Sequence, residues 1–124
     1  MKTKMNRILI VDDDPDICLA MSEVLRAKDF YVDVSENGEE ALKQMQIHAF
    51  DLVLLDIFMP EMDGFETIGA IRKCHEGIKI IAMTGYDKQE FDPLTFARSL
   101  GADDALTKPF SADDLAISIK KLLG

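Results

Sequence analysis

Apolar residues follow two alternating rhythms along this chain. Short runs at Ile8–Val11, Tyr31–Val34, Leu52–Leu55 and Ile80–Met83, with a weaker one at Ala105–Thr107, are separated by stretches of helical spacing. ILIV, LVLL and IIAM have no polar interruption, as expected of parallel strands covered on both faces. Tyr31–Val34 contains Asp33, and Ala105–Thr107 is only weakly apolar, so these two are predicted to be edge strands. Between the runs, Ile17, Met21, Val24 and Leu25 define a first helical stripe, entered through Asp14-Pro15 as N-cap and first-turn proline. Ala41, Leu42 and Met45 follow a turn at Asn37-Gly38. Phe65, Ile68 and Ile71 follow Asp63-Gly64, and Leu94, Ala97 and Leu100 follow Asp92-Pro93. Leu115, Ile119 and Leu122 follow Ser111, which has Asp114 three residues on, in the manner of a capping box.

Strands alternating with helices imply right-handed crossovers and a parallel sheet. The predicted fold is therefore α/β, a (βα)5 doubly wound five-stranded sheet. With strands 2 and 5 at the edges, the order 2-1-3-4-5 of flavodoxin-like folds satisfies the pattern. That order places the functional crevice at the carboxyl ends of strands 1 and 3, where the winding reverses.

Composition narrows the functions such a fold could serve. At 124 residues, without repeats, low-complexity tracts or a linker, residues 1–124 read as one domain. A net charge of −9 argues against direct nucleic-acid binding and against an anionic membrane surface. No apolar run approaches a membrane span, and the run after the basic start is too short for a signal peptide, so a cytoplasmic setting is expected. Cys18 and Cys74 are too few for a disulfide framework and read as reduced thiols in or near the core.

The chemistry gathers where the topology says to look. Strand 1 ends in Asp12-Asp13-Asp14, strand 3 in Asp56, strand 4 in Thr84-Gly85 and strand 5 in Lys108-Pro109. Two like charges 4 Å apart repel by about 4 kcal/mol at an effective dielectric of 20. Such a cluster needs raised pKa values, a compensating cation, or both. Lys108 offers one, and a hard divalent ion with oxygen ligands, Mg²⁺ above all, suits the remainder. Other residues have plainer roles. Asp14 and Asp63 read as helix caps, His48 and His75 lie late in helices where cations are favoured, and Met21, Met45 and Met83 fill the core. Thr84 and Lys108 would be ordinary turn and surface residues if taken singly. Met59 and Met62, flanking Pro60, could line the site.

Four motifs in order, Asp12-Asp13, Leu55-Asp56-Ile57-Phe58-Met59-Pro60-Glu61-Met62-Asp63-Gly64, Met83-Thr84-Gly85 and Thr107-Lys108-Pro109-Phe110, resemble the response-regulator receiver domain of two-component signalling, the CheY-like type. The resemblance runs from about Arg7 to Leu123. It implies that Asp56 accepts a phosphoryl group from a phosphohistidine on a sensor histidine kinase or histidine phosphotransfer protein. It implies Mg²⁺ ligation by Asp12, Asp13, Asp56 and the backbone carbonyl of Phe58. Thr84 and Lys108 would contact the phosphoryl group, and the Lys108-Pro109 bond would be cis. Phosphorylation would switch the face formed by helix 4, strand 5 and helix 5. A downstream protein, or an output domain missing from this chain, would read that face. The resemblance further implies a phospho-acceptor that catalyses its own transfer and slow dephosphorylation, and not a turnover enzyme on a small substrate.

The chain departs from the family pattern in three places. Ala105 stands where an aromatic often precedes the lysine by three residues, which points to a switch transmitted by backbone. Gly85–Pro93 is longer than a minimal receiver needs, so helix 4 is expected to start near Asp92-Pro93. Phe58 and Tyr86 put bulk beside the site, where it would limit water attack. Among rivals, an aspartyl-phosphate hydrolase of the haloacid dehalogenase type would need a longer chain and Thr or Val where Asp16 stands. A flavodoxin would need a Ser/Thr/Gly-rich phosphate loop in place of three aspartates. A degenerate receiver acting as a phosphorylation-independent binding module is the alternative of a different class.

Overall fold

The computed structural model describes residues 6–57, 64–85 and 93–124. In chain order the elements are β1 (Arg7–Val11), α1 (Pro15–Ala27), β2 (Tyr31–Ser35), α2 (Gly38–Ile47) and β3 (Leu52–Asp56). They continue with α3 (Gly64–Cys74), β4 (Lys79–Thr84), α4 (Pro93–Leu100), β5 (Asp104–Thr107) and α5 (Ala112–Leu123). The strands form one sheet in the order β2-β1-β3-β4-β5, all pairs parallel, with β2 and β5 at the edges.

Period-two alternation along the strands divides the interior into two cores. Leu9, Val11, Val53, Leu55, Ile80 and Ala82 point to one face, where Ala41 and Met45 of α2, Ile68 and Ile71 of α3, and Ala97 of α4 cover them. Ile8, Ile10, Leu52, Leu54, Ile81 and Met83 point to the other, beneath Met21 and Leu25 of α1 and Leu115 and Ile119 of α5. The strand residues in both sets are fully buried. Each large aliphatic side chain among them contributes about 1.5–3 kcal/mol by leaving water, so the central strands form a rigid platform.

Helix entries follow the local chemistry. The Asp14 carboxylate accepts from the backbone N–H of Asp16 at 2.9 Å and Ile17 at 3.4 Å, and Pro15 opens α1. The Ser111 hydroxyl accepts from Asp114 N–H at 3.0 Å while the Asp114 carboxylate accepts from Ser111 N–H at 3.2 Å, completing a capping box. Asn37-Gly38 differs from the expected turn. Asn37 caps Glu40 N–H at 2.8 Å, and Gly38 is the first residue of α2.

Three further differences are local. His48 is the C-cap of α2 and His75 follows the end of α3, so both sit just past their helices. Cys18 is buried, but Cys74, the last residue of α3, is exposed and is not a core thiol. Helix 4 starts at Pro93, as expected. Asp63, Met59 and Met62, residues 86–92, where a longer connection is expected, and the side chain of Leu94 lie outside the described residues. Met21, Met45 and Met83 are buried as read.

Candidate functional site

Register assembles the site. Val11 pairs with Leu55, which carries Asp12 level with Asp56, and Asp56 pairs with Met83, which sets Thr84 one residue further along the rim. Thr84 pairs with Thr107, so Lys108 emerges beside it, and the Lys108 backbone N–H donates to the Thr84 carbonyl at 2.6 Å. The Lys108–Pro109 peptide is cis. Asp12, Asp13, Asp56, Thr84 and Lys108, from four strand ends, therefore share one rim. The sixth expected contributor, the Phe58 carbonyl, lies outside the described residues.

Lys108 is the electrostatic centre. Its Nζ donates to Asp12 Oδ2 at 2.7 Å and to Asp56 Oδ2 at 3.2 Å. Asp12 is 2 % and Asp56 6 % exposed, so water solvates neither carboxylate well. Burial alone would lower the ammonium pKa of Lys108. The Asp12 hydrogen bond and the fields of Asp56 and Asp12 outweigh that effect and hold it above the ordinary lysine value. The second Asp12 oxygen accepts from Asp14 N–H at 3.0 Å, which fixes the carboxylate at both ends.

Carboxylate oxygens of Asp12, Asp13 and Asp56 lie within 4.8 Å of one another, and this is the one such acidic group among the described residues. Three carboxylates face one ammonium, which leaves an excess of negative charge. The donor set is all oxygen and partly open to solvent through Asp13, so it fits a hard divalent cation that keeps some of its water, as Mg²⁺ does. A cleft of about 510 Å³ opens beside Asp12 and Asp13, bounded by Pro15, Leu19 and Arg26 of α1 and by Val34.

One neighbour of the site, Cys18, was read from the sequence only as a thiol in or near the core. The Cys18 thiol donates to the Asp12 carbonyl at 3.3 Å, and burial, followed by Asp12 and Asp14, pushes its pKa up to about 11. Its place one turn into α1, on the inward stripe with Met21, was the available signal.

The crowding of carboxylates has a measurable consequence. Asp13→Asn should raise the melting temperature in a chelator, because one like charge leaves the cluster. Asp13 is exposed, so the gain is small, about 0.5–1 kcal/mol. An unchanged or lower melting temperature would contradict the repulsion.

The family model for the response regulator receiver domain matches residues 8–120. The chain is 38% identical over 119 residues to the transcriptional regulatory protein CpxR of Escherichia coli, covering 96% of this chain and 50% of that protein. It is 37% identical over 116 residues to ZraR of the same organism, covering 94% of this chain and 26% of that protein. The chain thus spans half or less of the length of these relatives. Among solved structures, the chemotaxis protein CheY4 of Vibrio cholerae superposes with a TM-score of 0.89 at 30% identity, covering 97% of this chain and 100% of that one. The response regulator TrrA of Thermotoga maritima, in complex with Mg²⁺ and beryllium fluoride, gives 0.84 at 41% identity, covering 96% and 100%. Among the described residues, no helix is long and apolar enough to cross a membrane.

Proposed function

This chain belongs to the response regulator receiver family, and on that premise we propose that Asp56 accepts a phosphoryl group from the phosphohistidine of a sensor histidine kinase or histidine phosphotransfer protein. The observation that carries the reading is the buried Asp56 carboxylate, held by Lys108 and clustered with Asp12 and Asp13 at the sheet's reversal point.

An Asp56 oxygen attacks phosphorus, the P–N bond breaks, and its electron pair returns to the imidazole, which takes a proton from solvent. The product is an acyl phosphate. Anion meets anion in this step, and charge spreads over the phosphoryl oxygens, so positioning and cationic stabilisation do most of the catalysis. Lys108 already spans Asp12 and Asp56, and it turns toward the phosphoryl oxygens as they arrive. The Thr84 hydroxyl donates to one of those oxygens. Asp12, Asp13, Asp56 and the Phe58 carbonyl would hold a Mg²⁺ ion, which would supply further positive charge there; the Mg²⁺–beryllium fluoride complex of TrrA supports Mg²⁺ as that ion.

The domain is regulatory and does not turn over a small substrate. Phosphorylation adds charge at Asp56, Thr84 is drawn inward, and the α4–β5–α5 face shifts between two states. An output domain, as the regulator names of the relatives suggest, or a separate protein reads that face.

Intact mass after incubation with acetyl phosphate tests the reading. Wild type should gain one phosphoryl adduct that requires Mg²⁺, and Asp56→Asn should gain none. Full labelling of Asp56→Asn would move the acceptor elsewhere. Absence of an adduct from both acetyl phosphate and a phosphohistidine donor would leave the degenerate binding module.

A further inference from the structure

Asp104 opens β5 at the foot of the face assigned to the switch, yet it is a buried carboxylate, 7 % exposed, and no step proposed above uses it. Four donors from three elements converge on it. Oδ2 accepts from the Ser118 hydroxyl of α5 at 2.5 Å and pairs with Lys121 of α5 at 3.2 Å. Oδ1 accepts from the backbone N–H of Ala105 in β5 at 2.8 Å and pairs with Arg98 of α4 at 3.2 Å. Burial opposes ionisation of Asp104, but the Ser118 hydroxyl, the Ala105 N–H and Lys121 outweigh it and hold the carboxyl below its usual range.

The two ends of this network differ. Ser118 is buried, and its bond with Asp104 fixes α5 to β5. Arg98 is mostly exposed and joins α4 to the same carboxylate through a single contact that solvent can replace. The network is therefore firm toward α5 and releasable toward α4. With Ala105 at the following position, β5 itself places no large ring next to Asp104 on the way to the site. The strand itself links them, since Asp104 lies four residues before Lys108 and pairs with Ile81 of β4, the strand that ends in Thr84.

We propose that Asp104 is a positioning residue for phosphoryl acceptance: through Arg98 it clamps α4 in the arrangement of the unmodified domain, and breaking that contact is part of the switch. The inference rests on the phospho-acceptor reading. By linkage, a contact present only in the unmodified state opposes modification, so loosening it must favour binding at Asp56. A contact that merely held the fold together would have the opposite effect when removed.

The test uses Arg98→Ala and Asp104→Asn, with Mg²⁺ plus beryllium fluoride as the probe. Arg98→Ala removes only an exposed group, so it keeps the result interpretable if Asp104→Asn folds poorly. Without probe, both variants should show faster amide hydrogen exchange across 93–100 than wild type, with little change in β1 and β3. With probe, the half-saturating concentration should fall by roughly 2- to 30-fold in Arg98→Ala. Unchanged exchange across 93–100 overturns the clamp, as does an unchanged or higher half-saturating concentration. A wild type that binds no probe would refute the phospho-acceptor reading, and the exchange arm would still decide whether Asp104 restrains α4.

Discussion

Replacing Lys108 with methionine is expected to lower stability at neutral pH by about 3 kcal/mol, because it strands charges that the fold has already taken out of water. The ammonium pairs with both Asp12 and Asp56, at 2.7 Å and 3.2 Å. Methionine keeps the bulk of the side chain and removes the charge, so the loss is electrostatic and not a cavity. The pH dependence separates the two causes. In wild type the raised Lys108 value means that its contribution is fully present below the unfolded lysine value of about 10.4. It is lost as pH rises through the higher folded value. In Lys108→Met that alkaline loss disappears. The deficit against wild type narrows in acid, where protonated carboxyl groups need no cation. Added Mg²⁺ should recover part of the neutral-pH loss if the carboxylate cluster binds it. Urea midpoints at neutral, acid and alkaline pH, each with and without Mg²⁺, check this. Equal deficits at all three would sink the charge argument.

Gly64→Ala should be as damaging by a different route. A β-carbon at residue 64 would overlap Ile57 Cα and lie 2.8 Å from the Asp56 carbonyl oxygen. These are backbone atoms at the end of a fully buried strand, so no side chain can rotate away. The Gly64 N–H also donates to the Ile57 carbonyl at 3.2 Å, tying the first residue of α3 to the segment after Asp56. Separating them breaks that bond and shifts Asp56 off the rim. A loss of about 3 kcal/mol is expected, together with slower labelling by acetyl phosphate. A variant with wild-type midpoint and wild-type labelling would show that α3 can move without disturbing the acceptor.

The legible parts of the fold were those with one dominant physical cause. ILIV, LVLL and IIAM cannot be half-exposed, so they had to be central strands; Asp33 and the weak Ala105–Thr107 run marked the edges. Asp14 and Ser111 were readable as caps because little but a cap explains Asp before Pro, or Ser three residues before Asp, at a stripe's start. Asn37-Gly38 was ambiguous, since the same pair suits a tight turn and a helix start, and only the Glu40 N–H decides between them. Cys74 fell on the exposed side because helix phase at a terminus depends on where the last turn stops. The site residues were legible through topology. What the sequence did not convey was pairing across elements: that Lys108 sits nearer Asp12 than Asp56, and that Asp104 meets Ser118 and Arg98. Ser118 left one clue, a polar residue on the same helical face as Leu115 and Ile119.

The strand order also bears on how the chain is made. β1 lies inside the sheet, and its inner neighbour, β3, is synthesised much later; Arg7 and Asp51, which bond at the start of these two strands, are 44 residues apart. At ribosomal speeds of about 5–20 residues per second, the apolar segment Ile8–Val11 waits roughly 2–9 s after its own synthesis before its β3 partner exists. For that interval β2, α1 and then α2 are the cover it has from its own chain. The run that carries the Asp12–Asp13 rim in the finished domain is thus also a segment open to chaperones, and to neighbouring nascent chains, while the domain is being born.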